Sequence, residues 1–262
     1  MKVLVLGSGP SGMMAVHAAS QCGAAVTVFD VDPQQSRRNS GVYYLHDDCD
    51  LLLDSVEIKQ TILGAKLLFS NQISEIYTHK VYGNDSSVSK VSVLDAIKNP
   101  IVKGYNAGQA ISRLWDLYGN RVKKVKIANL GHVISLFDSY DKIISTIPAG
   151  ILYPQLKYES VSVVIKSNIA PLSDSFIFYN VNPNDNWYRC SAIFGVFTQE
   201  YDYGVVEQSE LDCQYRMVKK VVGNGIESNI ENLFFVGRYG AWKKSTLTHN
   251  VYYDVLEWLR NV

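Results

Sequence analysis

Apolar residues at the start of the chain fall into blocks divided by glycine. Lys2-Val3-Leu4-Val5-Leu6 is a short, nearly uninterrupted apolar run, the pattern of a parallel strand buried on both faces. Met13 to Cys22 is small and apolar without a breaker and predicts a helix ended by Gly23. Val26-Thr27-Val28-Phe29 predicts a second strand, with Asp30 at its carboxyl end. Val31 to Gly41 is polar, with the composition of a loop, and Val42-Tyr43-Tyr44-Leu45-His46 follows it.

The pattern then changes. Short strand-like pieces, Glu57–Leu63, Lys66–Phe69 and Ser74–Val81, are separated by Gly64, Asn71 and Gly83-Asn84-Asp85, an antiparallel signature. Ala107–Tyr118 carries Ala110, Ile111, Leu114, Trp115 and Tyr118 at helical spacing and stops before Gly119-Asn120. Arg121–Ile127 alternates and is basic, which suits a half-exposed strand or, alternatively, a nucleic-acid contact. His132–Phe137 and Lys142–Thr146 predict further strands, the second ending in Ile147-Pro148. Glu159–Ser167, Phe176–Asn180 and Trp187–Phe194 predict three more, with the turn Asn182-Pro183-Asn184-Asp185 before the last. Glu210–Val222 is expected to be helical up to Gly223-Asn224-Gly225. Asn232–Val236 is expected to be a buried strand, and Thr248–Arg260 the closing helix.

These elements predict an α/β fold in which a Rossmann-type domain is discontinuous and an antiparallel-sheet domain is inserted into it. The expected boundaries are residues 1–55, 120–150 and 225–262 for the first domain, and 56–119 and 151–224 for the second. A chain of 262 residues has room for two such cores.

Gly7, Gly9 and Gly12 stand between the first strand and the first helix with the spacing G-x-G-x-x-G. Gly7 permits a tight turn, Gly9 lets a pyrophosphate approach the backbone, and Gly12 lets the helix lie close on the strand. The helix N-terminus adds unpaired N–H groups and partial positive charge. Asp30 follows where an acid can accept hydrogen bonds from a ribose diol. Strand, turn, helix and acid in that order identify a dinucleotide site. Arg37 and Arg38 have two open roles, a solvated turn or a reach back to the pyrophosphate.

Composition narrows the classes further. Lys plus Arg and Asp plus Glu each number 25, so no net charge drives the protein toward nucleic acid or anionic membrane. The early apolar run is broken by Gly7, Gly9, Pro10 and Gly12, which fits strand–turn–helix rather than a signal peptide. Cys22, Cys49, Cys190 and Cys213 form no C-x-x-C pair, and the five histidines show no metal-ligand spacing. No metal site is expected, and reduced thiols in a cytoplasmic protein are the default.

The fingerprint, the segment Tyr140-Asp141-Lys142-Ile143-Ile144-Ser145-Thr146-Ile147-Pro148, and the closing Asn232-Leu233-Phe234-Phe235-Val236-Gly237-Arg238 occur in the order found in one family. Together they resemble the FAD-dependent amine oxidoreductase superfamily, in the form of a truncated UDP-galactopyranose mutase-like flavoprotein. The resemblance implies that Gly7, Gly9, Ser11 and Gly12 hold the pyrophosphate of FAD and Asp30 the adenosine ribose. It places Arg38 after a glycine pair, where this chain has Ser36-Arg37 instead. It puts the backbone of Val125 at the adenine, Gly237 and Arg238 at the second pyrophosphate and ribityl contact, and the backbone of Thr246, Leu247 and Thr248 at the flavin O2 edge. The chain is too short for the helical insertion that builds much of the mutase sugar-nucleotide site.

The implied activity is FAD-dependent oxidation of an amine (C–N) in a small-molecule or polymer-borne substrate. Its electrons would pass to oxygen, or a diffusible reductant would serve. Two alternatives stay open: a non-redox flavin enzyme of the sugar-nucleotide mutase type, and a non-catalytic nucleotide-binding module. Candidate catalytic residues are His46, a base with an ordinary pKa near neutrality, and Arg189, a partner for an anionic substrate group. Tyr44, Trp187, Tyr188, Tyr239 and Trp242 are candidates for the substrate wall. Trp187 and Tyr188 are neighbours on a predicted strand, so one of them is expected to face the core.

Overall fold

A computed structural model of the chain describes residues 1–38, 44–64, 69–83, 92–169, 174–205, 215–223, 225–226 and 228–261. Its elements begin with β1 (Lys2–Leu6), α1 (Pro10–Gln21), β2 (Ala25–Asp30), α2 (Pro33–Arg38), β3 (Ser55–Leu63), α3 (Ser70–Tyr82), α4 (Ser92–Lys98) and β4 (Ile101–Tyr105). They continue with α5 (Ala107–Tyr118), β5 (Val122–Lys124), α6 (Leu130–Ser135), β6 (Lys142–Ser145), α7 (Ala149–Leu152), β7 (Ser160–Ile169) and β8 (Ser175–Asn180). The last are β9 (Trp187–Ile193), β10 (Val196–Asp202), β11 (Tyr215–Val221), β12 (Leu233–Phe235) and α8 (Thr248–Arg260). Among the described residues no helix is long and apolar enough to cross a membrane.

The chain divides into two compact units, residues 1–54, 105–158 and 223–262, and residues 55–104 and 159–222. The first unit is built on a sheet of order β12-β6-β1-β2-β5. All its pairings are parallel. β1 shows why both faces are covered. Val3 and Val5 point into one apolar cluster with α1, α5 and α8, while Leu4 and Leu6 point into another with Ile143, Leu152, Leu233 and Phe235. These four side chains are fully buried, as alternation in a doubly covered strand requires, and Lys2 at the start of β1 is exposed.

Two capped helices complete that core. In α5 the Asn106 side chain accepts from the Gln109 N–H, and the face Ala110, Ile111, Leu114, Trp115 and Tyr118 is buried. In α8 the buried face is His249, Val251, Tyr252, Val255, Leu256 and Leu259. Helix α5 was expected in the inserted domain. Its apolar stripe lies instead in the cluster shared with α1, so residues 105–119 belong with the Rossmann-type unit, as do residues 151–158.

The second unit is a sheet of order β11-β7-β10-β9-β8-β3-β4. β11, β7, β10, β9 and β8 pair antiparallel, as expected, but β3 lies parallel to β8. The sheet is therefore mixed. β4 and β10 have no counterpart among the expected elements.

Four expected elements take another form. Ser74–Val81 is part of helix α3, which buries Ile73, Tyr77 and Val81 at a spacing of four. His132–Phe137 is a short helix capped by the Asn129 side chain, which accepts from the His132 N–H. The segment after β2 includes a short helix, α2, rather than loop alone. Residues 215–221, expected to be helical, form strand β11 on the edge of the second sheet. The rest of that expected helix, residues 210–214, lies outside the described residues. So do Asn84, Asp85, Lys66, Ala65, Leu67 and Leu68, Val42, Tyr43 and Cys213.

Candidate dinucleotide-binding site

The five parallel strands have the Rossmann order, with the chain reversing direction across the sheet at β1. In such sheets ligands bind outside the carboxyl ends of the strands on either side of the reversal, here β1 and β6. The glycine turn sits there. Gly7 has φ +94° and donates its N–H to Phe29 O at 2.8 Å. A side chain on Gly12 would put Cβ 1.9 Å from Gly7 O, so α1 lies directly on the turn. A Cβ on Gly9 would meet nothing within 4 Å. Gly12 is thus the packing glycine, and Gly9 opens on free space at the helix N-terminus.

The closing motif arrives at the same place. Gly237, with φ +76°, follows β12, and a Cβ there would stand 2.7 Å from both Cβ and Oγ of Ser11. A Cβ on Gly240 would meet Val236 O at 2.3 Å and Ser145 O at 2.7 Å. Thr146 ties β6 to β1 by donating Oγ1–H to Leu6 O at 2.8 Å. The N-terminal turn, the end of β6 and the Gly237-Arg238 segment therefore form one backbone-lined cradle. Arg238 is half-buried, and its carbonyl accepts from the Lys243 N–H at 3.1 Å.

Asp30 is 6% exposed and its carboxylate is engaged. Oδ2 accepts from Ser8 N–H at 2.6 Å, Ser8 Oγ–H at 2.7 Å and Ser36 Oγ–H at 3.0 Å. Oδ1 accepts from Asp32 N–H at 2.7 Å. The sequence suggests an acid open to a ribose; the structure holds it with partners. Val125 is positioned by its N–H, which donates to Asp30 O at 2.8 Å, so only its carbonyl is left for an adenine. Arg38 is exposed at the end of α2, and Arg37 lies near Asp116 and over the Trp115 ring.

At the start of α8 the amides differ. Thr246 N–H donates to Lys243 O at 3.3 Å and Leu247 N–H to Asn250 Oδ1 at 2.9 Å. Thr248 and His249 open the helix, where the first amides have no intrahelical acceptor. His46 comes to this helix end. Its ring lies 5.1 Å from that of His249 and 4.8 Å from that of Tyr44. Burial, then the neighbouring His46, pushes the His249 pKa down to about 4, against the pull of Asp47. Burial by itself would raise the Asp47 pKa, but the Tyr253 hydroxyl and the Cys49 N–H hydrogen-bond the carboxylate and hold it below its ordinary value.

Behind this pair the backbone of Cys49, Asp50 and Leu52 is left-handed, with φ of 49°, 59° and 52°. Side chains from three helices strap it. His17 on α1 bonds Cys49 O at 3.0 Å, Tyr252 on α8 donates to Asp50 Oδ2 at 2.6 Å, and Arg113 on α5 donates to the carbonyls of Leu51 and Leu52. A carbonyl only accepts, so His17 carries its proton on Nε2 and Nδ1 accepts from Tyr118 O–H at 3.0 Å. Burial lowers the His17 pKa, against the hydrogen bond to Cys49 and the charge of Asp50. His249 and Ser8 have no assigned role in the sequence reading, and Ser36 enters it only as a departure from a glycine pair. Ser8 had a signal, as the first variable residue of the fingerprint.

Tyr239 is exposed, and Trp242, with φ +47°, packs edge-on against Tyr158 at 4.9 Å. Both belong to the first unit. Trp187, Tyr188 and Arg189 belong to the second. Tyr188 is the core-facing one of its pair, 4% exposed, and burial with the Asp202 carboxylate beside it drives its pKa far up. Arg189 pairs with buried Glu200, whose other oxygen accepts from Lys220 Nζ at 2.6 Å. Its guanidinium is thus committed to a carboxylate of its own sheet.

The chain has an α/β fold, with a parallel sheet and a separate mixed sheet, similar to the folds of several solved flavoenzyme structures. Reduced UDP-galactopyranose mutase superposes with a TM-score of 0.60 at 11% identity, over 98% of this chain and 94% of that one. An oxidoreductase from Methanosarcina mazei gives 0.57 at 13% identity, over 99% and 100% of the two chains. Putrescine oxidase bound to putrescine gives 0.56 at 10% identity, over 99% of each. Residues 1–80 match the family described as alanine dehydrogenase/PNT, C-terminal domain. No curated protein matches the chain in sequence.

Proposed function

We propose that the protein is an FAD-dependent oxidoreductase whose first unit holds the dinucleotide. The observation that carries this is the cradle: Gly9 opens on free space while Gly237 is pressed against Ser11 of the same helix end. A single glycine turn suits NAD or FAD alike. A second glycine–arginine segment meeting that turn adds a second backbone approach to the pyrophosphate, and its place after the last strand, as in the flavoprotein resemblance, favours FAD. Gly7, Gly9, Ser11, Gly12, Gly237 and Arg238 would line the pyrophosphate, Asp30 the ribose, the Val125 carbonyl the adenine edge, and the Thr248 and His249 amides the flavin O2 edge. Arg38, exposed at the end of α2, is a candidate cation for the phosphates. When bound, FAD supplies the redox chemistry.

The chain's own part is orientation and proton handling. The fold neighbours include an oxidase bound to putrescine, which favours an amine or related C–N substrate for this chain too. His46 is the candidate base, beside Tyr44, with Tyr239 and Trp242 as candidate walls. In the second unit Trp187 remains a candidate for substrate recognition, whereas Tyr188 faces the core and Arg189 is held by Glu200. A mutase among the fold neighbours favours a second reading, in which the flavin is used without net redox change.

The test is to purify the protein, record its visible spectrum and identify the released cofactor by mass. Bound FAD, bleached anaerobically by a primary or secondary amine, is the expected result. Turnover only after prior reduction would favour the second reading. Colourless protein that ignores FAD and binds NAD would refute the flavin assignment.

A further inference from the structure

The Asp30 carboxylate meets more donors than a waiting ribose site should. A carboxylate has about four acceptor sites. Ser8 N–H, Ser8 Oγ–H, Ser36 Oγ–H and Asp32 N–H supply four donors between them. Oδ2 takes three of them, Ser8 N–H, Ser8 Oγ–H and Ser36 Oγ–H, and Oδ1 only the fourth, so a ribose hydroxyl that reaches Oδ2 must displace a donor there. Two of the four are backbone amides fixed by the glycine turn and by the end of β2. Ser8 is fully buried, so its hydroxyl has no water to turn to. Ser36 is half-buried on the short helix α2, makes the longest of the four bonds at 3.0 Å, and can exchange Asp30 for solvent.

We propose that Ser36 is a latch on the ribose-binding acid. Its Oγ bonds Oδ2 of Asp30, an adenosine ribose hydroxyl competes for that same acceptor, and Ser36 thereby sets nucleotide affinity. The inference rests on the nucleotide reading of the crevice and extends it to a residue that lies outside the glycine fingerprint. It gives a consequence to the serine that stands here in place of a glycine. No bond is made or broken covalently; one hydrogen bond to Asp30 is exchanged for another, and the Ser36 hydroxyl passes to water.

The experiment measures binding of FAD, and separately of ADP-ribose, to wild type, Ser36→Ala, Ser36→Gly, Asp30→Asn and the Ser36→Ala/Asp30→Asn double variant. Thermal melts check that each is folded. Removing the competing hydroxyl should tighten both ligands by about three- to tenfold, the span of a typical net hydrogen bond. The gain should largely vanish in the Asp30→Asn background, because the two residues then no longer compete for the same charged acceptor. Ser36→Gly decides the matter if Ser36→Ala is poorly folded. FAD binding that is unchanged or weakened in the folded Ser36 variants would overturn the latch and leave the flavin reading intact. ADP-ribose binding that tightens in Ser36→Ala while FAD is ignored would support the latch and overturn the flavin reading. Failure of both ligands to bind any of the proteins would overturn both.

Discussion

Gly9 and Gly12 belong to one fingerprint, yet the structure assigns them opposite fates on substitution by alanine. At Gly12 the new Cβ would stand 1.9 Å from Gly7 O, 2.7 Å from Gly7 C and 3.1 Å from Thr146 Oγ1. The first two contacts are backbone and cannot rotate away. Relief needs α1 to retreat by roughly 1 Å from the turn, and α1 is tied into the cluster with α5 and α8. Overpacking a core that can yield costs about 1–3 kcal/mol; a backbone obstacle puts Gly12→Ala at or beyond the upper end. For a chain of this size about 3 kcal/mol lowers the melting temperature by roughly 6–12 °C. At Gly9, φ −65° and ψ −179° suit alanine, and its Cβ meets nothing within 4 Å. A stiffer unfolded chain and a poorer N-cap act in opposite directions there, so stability should stay within about 1 kcal/mol of wild type. The methyl group nevertheless fills the space a pyrophosphate needs, and FAD affinity should fall by about tenfold or more. Thermal unfolding by circular dichroism and titration of flavin fluorescence give the two readouts. Gly9→Ala that binds FAD like wild type, or Gly12→Ala that melts like wild type, would refute the division of labour between the glycines.

Other outcomes follow from single contacts. His249 has a folded pKa of about 4 against an ordinary 6.5, so the unfolded chain binds the proton more readily. Its contribution is complete above pH 6.5 and is lost as pH falls toward 4, by about 1–2 kcal/mol once solvent screening is allowed for; His249→Asn should flatten this part of a urea-unfolding pH series. His17, lowered mainly by burial, acts with the same sign. Ser145 Oγ is buried without a hydrogen-bond partner at the end of β6, so Ser145→Ala should raise stability by about 1 kcal/mol, and a loss of that size would contradict the orphaned hydroxyl. Glu200→Gln leaves Arg189 and Lys220 without their shared charge in the second sheet. It should cost about 3 kcal/mol, measured by denaturant unfolding, and near-neutral behaviour would show that solvent already satisfies both cations.

Much of the first unit is legible in the sequence alone. β1, the glycine turn, α1 and β2 are specified within a stretch of contiguous residues, where period, breakers and the terminal acid agree. Helices α5 and α8 begin and end where the apolar stripe and flanking residues predict, because those signals are also local. Helix α3 is read from the sequence as a strand because of its β-branched and aromatic content, although Ile73, Tyr77 and Val81 recur at a spacing of four. Residues 215–221 show the opposite limit. Nothing local makes them a strand; pairing with β7 supplies the hydrogen bonds, and that partner lies some 50 residues away along the chain.

The site follows the same division. Residue types and spacing identify Gly7, Gly9, Gly12 and Asp30, because each meets a requirement of the local backbone or of its immediate ligand. Spacing cannot say that Gly237 would be pressed on Ser11, that Ser8 and Ser36 would converge on Oδ2 of Asp30, or that His46 would meet His249. These are contacts between segments joined only by the folded sheet, and hydrogen-bond satisfaction is a property of all the groups that meet at a point. The tertiary structure alone therefore decides which fingerprint glycine faces a ligand, which acid is already engaged, and which arginine is committed to a buried carboxylate.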